Sequence, residues 1–219
     1  MNVFQYFLLF IVYAFFGWFL EVLNALIRQK KFINRGFLIG PYCPIYGVGG
    51  VLITLVLTRY HHDPIALFIM ALVMCAVLEY LTSYLMEKIF KARWWDYSSK
   101  KFNINGRICL ETMIVFGLGG CFTIYVANPL VIPIITSFNP IITNIVAITL
   151  LILFLFDLIV SFKIIANFKK AAFNFPKKDS TEEITKFVKE ILAKKNIYTR
   201  RLMNAFPKVE AYIKKKKKD

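Results

Sequence analysis

Acidic residues are scarce in this chain: 13 Asp and Glu stand against 28 Lys and Arg, a formal net charge of +15 over 219 residues. Histidine is nearly missing, and the two present, His61 and His62, are adjacent, so no imidazole falls within the apolar stretches. No glycine is followed by lysine, which excludes a Walker A nucleotide loop. The run Gly47-Val48-Gly49-Gly50 has no strand or βαβ context and is no dinucleotide fingerprint. The four cysteines, Cys43, Cys75, Cys109 and Cys121, lack metal-ligand spacing and read as small packing residues. With no zinc motif and no serine nucleophile elbow, the chain reads as a protein that is not an enzyme, with no metal site and no cofactor.

What the chain has in excess is apolar sequence. At 58% hydrophobic residues it is too apolar for a soluble surface, and its bulk is expected to face lipid. A helix rises about 1.5 Å per residue and needs roughly 20 mostly apolar residues to cross the hydrocarbon. Five windows qualify, at 4–27, 37–58, 64–86, 108–126 and 140–162. This predicts an all-α, polytopic integral membrane protein. Residues 1–16 carry no basic group, so the first window is expected to remain as a helix rather than to be a cleaved signal peptide.

Orientation follows from the basic residues, which stay in short cytoplasmic loops. With five spans, 27 of the 28 Lys and Arg fall on one side. Only Arg59 lies opposite, and the stretch 127–139, read as an outer loop, has no charge. The N-terminus is therefore expected outside and the C-terminus inside. Residues 1–162 form the transmembrane domain and 163–219 a basic cytoplasmic tail. In that tail Ser180-Thr181-Glu182-Glu183 reads as a capping box, followed by an amphipathic helix carrying Ile184, Phe187, Val188, Ile191 and Leu192 on one face. The polybasic end, 214–218, is expected to be drawn to anionic lipids of the inner leaflet. No nucleic-acid reader motif accompanies the charge.

A sparse repeat runs through the first four spans. Lys30-Lys31-Phe32, Gly36, Gly47, Gly49 and Gly50 recur 70 residues later as Lys100-Lys101-Phe102, Gly106, Gly117, Gly119 and Gly120. Leu20-Glu21 matches Leu78-Glu79 at an offset of 58. The reading is a parallel duplication of a two-helix unit, over 4–58 and 64–126, with an extra helix at 140–162. Chance recurrence of glycine in apolar sequence is the alternative. Gly47, Gly50, Gly117 and Gly120 are read as surfaces where helices approach closely.

Two features mark a candidate site. Gly36, Gly40, Pro41, Tyr42, Pro44 and Tyr46 lie where two prolines oppose a regular helix, leaving a short regular stretch from Pro44 to Thr58. Irregular backbone at membrane depth is tolerated only when buried in protein or lining a wet cavity. A simple proline start to a tilted helix is the competing reading. The second feature is a set of polar residues at one depth: Glu21, Asn24, Arg35, Glu79, Arg107, Glu111 and Asp157. Gly17, Glu21, Asn24 and Arg28 align on one helix face, as do Cys75, Glu79, Thr82 and Met86 on another. Isolated charges there are costly, so Glu21, Glu79 and Glu111 are expected to cluster with Arg35 and Arg107, Arg107 standing one helical turn before Glu111. The cluster is read as a structural ion-pair network, as a substrate or cation site, or as a catalytic group, the last opposed by the missing zinc motif, serine elbow and intramembrane histidine.

The segments Asn34-Arg35-Gly36-Phe37-Leu38, Gly40-Pro41-Tyr42-Cys43-Pro44-Ile45-Tyr46-Gly47, Trp95-Asp96-Tyr97-Ser98 and Phe102-Asn103-Ile104-Asn105-Gly106-Arg107-Ile108-Cys109-Leu110 resemble those of the bacterial ABC-transporter type IV permease family, as do Arg200-Arg201-Leu202 and Ala205-Phe206-Pro207. The resemblance implies a multi-pass protein of the bacterial plasma membrane and a permease-like subunit whose ATPase, lacking here, is a separate chain. It assigns no substrate and no catalytic residue. The partners expected are the lipid bilayer, a second copy of the chain or that ATPase, and no nucleic acid. The second function class is a non-transport scaffold or regulator acting through the basic tail.

Overall fold

The computed structural model describes residues 1–30, 32–34, 36–90, 92–173, 201 and 210–211. Arg35, the expected tail helix and the polybasic end lie outside the described residues. The chain is built of helices with short strand pairs at one end. Helix α1 spans Val3–Gln29, α2 Pro44–Leu57 with a 3-10 turn Thr58–Tyr60, α3 Pro64–Phe90, α4 Leu110–Phe122, α5 Asn128–Ser137 and α6 Pro140–Phe173.

Each start has a local cause. Asn2 opens α1 by accepting from the Gln5 amide at 2.8 Å, and Gln5 returns the bond to the Asn2 amide at 2.8 Å. Asp63 accepts from the amides of Ile65 and Ala66 to begin α3, and Asn139 accepts from Ile141 to begin α6. Proline stands first in α2, α3 and α6, where its missing N–H costs nothing.

Four apolar runs are long enough to cross a membrane: Val3–Arg28, Pro64–Phe90, Leu110–Ser137 and Pro140–Ile164. The protein is a multi-pass membrane protein. The expected second span is shorter than expected, because residues 36–43 are not helical and only Pro44–Tyr60 winds. The fourth span is longer. The stretch 127–139 is not a loop; α4 passes through a π turn, Thr123–Ala127, directly into α5. Pro129 explains the π turn, since its ring collides with the carbonyl four residues back in an α-helix. The wider turn lets the Asn128 amide bond to Thr123 O instead. Likewise α6 continues past the expected end at 162, to Phe173.

The sequence reading also held no strands. Asn103–Ile104 (β2) pairs antiparallel with Ile108–Cys109 (β3), closed by the Arg107 amide on Ile104 O at 3.0 Å. Asn105 and Gly106 stand at φ 53° and 66°, the left-handed central pair of the tight turn from Ile104 to Arg107 within the three-residue connection 105–107. A second pair joins Ala92–Arg93 (β1) to Glu210–Ala211 (β4), so the C-terminal segment returns to the loop after α3.

Packing is organised as two hairpins, α1 on α2 and α3 on α4. The glycines of α2 and α4 form the seams. A methyl group on Gly47 or Gly50 would land on Phe10 or Tyr13 of α1, and one on Gly117 or Gly120 on Phe68 or Ala71 of α3. Phe10 and Phe68, and Tyr13 and Ala71, are 58 positions apart, the offset that relates Glu21 to Glu79. Inside the bundle, the Tyr13 hydroxyl donates to Asn128 Oδ1, which Thr54 Oγ1 also approaches at 3.1 Å.

Gly119 is a built-in control, because nothing lies within 4 Å of a methyl placed there. Gly120→Val is expected to destabilise the protein by about 1–3 kcal/mol through overpacking against Ala71. Gly119→Val is expected to leave the melting temperature in detergent unchanged. Equal melting of the two variants would refute the seam.

Candidate functional site

The irregular segment after α1 is held by one carboxylate from the last helix. Asp157 Oδ1 accepts from the Ile39 amide at 3.0 Å and the Ser161 hydroxyl at 2.8 Å. Its Oδ2 accepts from the Gly40 amide at 2.7 Å and the Tyr42 hydroxyl at 2.7 Å. Asn34 supports the same segment from the other side. Its Oδ1 accepts from Trp18 Nε1 at 2.8 Å and from the Gly36 amide at 3.0 Å, and its Nδ2 donates to Ile39 O at 3.3 Å. The Cys43 amide then donates to Ala14 O at 2.8 Å, joining the segment to α1 just before α2 starts.

Arg201 comes to this place from the C-terminal segment. Its Nη2 donates to Leu38 O at 2.7 Å, while Nε and Nη1 are buried without a hydrogen-bond partner. Burial pushes its pKa below the ordinary arginine value, against the pull of the nearby Asp157 charge.

Glu79 and Glu21 form a second polar nest. Glu79 is buried at 4% exposure and takes the Tyr97 hydroxyl at 3.1 Å and, at 3.5 Å, the Thr112 hydroxyl, which also reaches Cys109 O at 2.9 Å. Glu21 accepts from the Tyr46 hydroxyl at 2.8 Å. Gly17, one turn before Glu21, leaves the room that the Tyr46 ring occupies. Burial first, then the Glu79 charge and the bond to it, hold the Tyr97 phenol above its usual range, with Cys109 and Glu21 adding smaller effects. Tyr97 therefore remains a donor to Glu79 at physiological pH.

A third group sits nearer the strands. Arg107, expected to pair with Glu79 or Glu111, instead reaches Glu87: its Nη2 lies 3.1 Å from Glu87 Oε2 and its Nη1 donates to Ser83 Oγ at 3.2 Å. The guanidinium rests 5.7 Å and 5.5 Å from the ring centres of Tyr80 and Tyr84. Arg93 Nε meets the same Glu87 oxygen at 3.1 Å, and its Nη1 lies 3.6 Å from Asp96. The expected spacing to Glu111 fails because Arg107 belongs to the hairpin, and α4 begins only at Leu110.

The single expected cluster is thus divided. Glu21 and Glu79 come together, Arg107 and Asp157 each organise a separate group, and Glu111 stands apart, exposed and paired with Lys100 at 2.8 Å. Asn24 is exposed, so the α1 stripe is buried only at Gly17 and partly at Glu21. On α3 the most buried line runs through Ala76, Glu79, Ser83 and Glu87 rather than through Cys75, Thr82 and Met86. Among the described residues no three His, Cys, Asp or Glu side chains gather as a metal site.

The family model described as "Putative ABC-transporter type IV" matches residues 8–162. The chain belongs to that family. No curated protein and no solved structure matches it. The matched segment contains the described members of all three polar groups up to Asp157, while Arg201 lies beyond it.

The sequence reading missed Glu87, Arg93, Tyr97 and Ser161. Ser161 had a signal, since it stands four residues after Asp157 on one helix face. Glu87 had one too: it lies eight residues after Glu79, but the third span was ended at Met86.

Asp157→Asn replaces one acceptor oxygen with an NH2 group facing donors already in place. In a variant retaining Cys43 as its single cysteine, buried at 7% exposure, maleimide labelling is expected to accelerate about tenfold or more, as the loss of a charged hydrogen bond of about 1.5–3 kcal/mol requires. Unchanged labelling would show that Asp157 does not hold the segment.

Proposed function

We propose that this chain is the membrane-embedded, permease-like subunit of a transport system, and that Glu79, with Glu21 beside it, takes up the proton or cation that accompanies transport. Family membership supports the transport role. The observation that carries the site is the environment of Glu79. It is buried in an apolar span and held by hydroxyls, and among the described residues no Lys, Arg or His lies within 4 Å of it. A carboxylate buried in a low-dielectric bundle and held by neutral hydroxyls is stabilised by binding a proton or a cation, which is the property of intramembrane acids in transport pathways.

In this reading the chain crosses the bilayer five times, N-terminus outside and C-terminus inside, in a bacterial plasma membrane. The short helix Pro44–Tyr60 then also crosses, with the pinned segment 36–43 completing its path. The glycine seams, with matched partners at a common offset, support a parallel duplication of the α1–α2 and α3–α4 units. The ATPase is a separate subunit, and a second copy of the chain widens a pathway that five helices leave narrow. Arg201 and β4 favour a second reading, a scaffold or regulator acting through its C-terminal segment, because they tie that segment to both basic loops.

Two experiments separate these readings. In a strain deleted for the gene, Glu79→Gln is expected to abolish complementation while the purified variant melts within a degree or so of wild type, an isosteric neutral group keeping both hydroxyl contacts. Full complementation by Glu79→Gln would favour the scaffold, and loss of activity in step with stability would make Glu79 structural. For orientation, Asp63→Cys is expected to be labelled by an impermeant thiol reagent on whole cells, and a C-terminal fluorescent fusion to light in the cytoplasm. Protection of the cysteine from outside would overturn the five-crossing arrangement.

A further inference from the structure

A shallow, open cleft of about 430 Å³ lies beside the hairpin, where α4 enters the bilayer, and its walls are of two kinds. Lys100, Lys101 and Glu111 are charged; Phe102, Leu110 and Ile114 are apolar. None of these residues takes part in the polar groups around Glu79, Glu87 or Asp157. We propose that this cleft binds one anionic glycerophospholipid, with the phosphate on Lys101 and Lys100 and an acyl chain along Leu110 and Ile114.

Depth is the first argument. Leu110 and Glu111 are the first residues of the apolar run Leu110–Ser137, so the charged wall stands at headgroup level and the apolar wall runs into the acyl region. Charge is the second. Glu111 opposes an anion, but Lys100 at 2.8 Å already neutralises it, and Arg28 at the end of α1 lies close enough to act on it electrostatically. Lys101 is left as the surplus cation of the cleft wall. The third argument is Phe102. Its backbone sits at φ 52°, a left-handed conformation uncommon for a bulky residue, and its ring is 78% exposed. An aromatic ring held out in this way is poorly placed against water and well placed between headgroups. The basic tail attracts the membrane by diffuse charge. The cleft differs in offering a shaped apolar wall beside its cations, which selects a lipid rather than a surface.

The test uses the full-length protein in detergent, titrated with dioleoylphosphatidylglycerol or dioleoylphosphatidylcholine, with retained lipid counted by native mass spectrometry. Wild type is expected to hold one phosphatidylglycerol in preference to phosphatidylcholine. Lys101→Gln should weaken that retention about fivefold, the effect of one lysine near an anionic headgroup, and Lys100→Gln with Lys101→Gln should remove the preference. Glu111→Gln should strengthen retention, and Phe102→Ser should weaken it for both lipids. Neutralising Lys214 to Lys218 should leave this first lipid in place. All the cleft variants change exposed or half-exposed side chains, so their folding is checked by the same melting curve as wild type. The proposal is overturned if phosphatidylcholine is held equally well, if Lys101→Gln and Phe102→Ser change nothing, or if the tail variant alone loses the lipid. It also fails if excess inorganic phosphate displaces the lipid completely, since the cleft would then be a site for the free ion.

Discussion

Backbone amides that leave a helix within an apolar bundle must find acceptors, and for Ile39 and Gly40 of this protein the acceptor is Asp157. Hydrocarbon offers an unpaired N–H nothing, so an irregular segment survives at membrane depth only when other parts of the protein satisfy it. Asp157 lies seven residues before the end of the span Pro140–Ile164, about 10 Å inside by helical rise. From there it takes two amides and one phenol of the segment 39–42. Much else follows from that anchor. The segment delivers Cys43 to the backbone of α1, Pro44 starts α2 there, and α2 carries Tyr46 to Glu21. The glycines at 47 and 50 then meet α1 at Phe10 and Tyr13. A helix too short to cross unaided becomes part of a packed bundle because its entry is fixed from the opposite end of the chain.

The arginines obey the same constraint in a different way. Arg107 and Arg93 share Glu87, and Arg107 also lies over two tyrosine rings, so a buried cation is compensated by an anion, a hydroxyl and two π faces. Burial of such a pair is roughly neutral for stability, whereas removing one partner typically costs about 3–5 kcal/mol. Its contribution is therefore geometric. It fixes the hairpin 103–109 against α3, and with the hairpin the start of α4, whose Thr112 completes the surroundings of Glu79.

How far the sequence was legible depends on the range of the interaction. Apolar length alone located α1, α3 and α6, and the two prolines located the break before α2, with the helix beginning at Pro44 as expected. The extension of α4 through 127–137 was hidden because Pro129 and Pro133 look like breakers, and nothing local says that a π turn will absorb the first. The hairpin is written in plain view as Asn105-Gly106, the pair that favours a tight turn, but it lies in a loop whose basic charge, glycine spacing and family motif drew the reading away from its turn chemistry. At the site, the burial of Glu79 and Asp157 was legible because a carboxylate in an apolar run has few alternatives. Partner choice was not. Asp157 binds residues 115 to 118 positions away, a pairing set by which helices pack together, and the exclusion of Glu111 depends on where a hairpin ends and a helix begins.

The three buried carboxylates among the described residues differ in what holds them, and this separates structure from chemistry. Asp157 accepts four hydrogen bonds, two of them from backbone amides. Glu87 is paired with two guanidinium groups. Losing either set of contacts would undo a loop or a hairpin, so both side chains serve the architecture. Glu79 is held by a phenol and a threonine hydroxyl, groups that donate to a carboxylate and can equally accept from a carboxylic acid by rotating one bond. Among the described residues, the other charge that acts on Tyr97 beside it is a second acid, Glu21. Of the three, it is the carboxylate whose protonation the surrounding structure can accommodate without rearranging, which is why the functional proposal rests on Glu79 and the architecture on the other two.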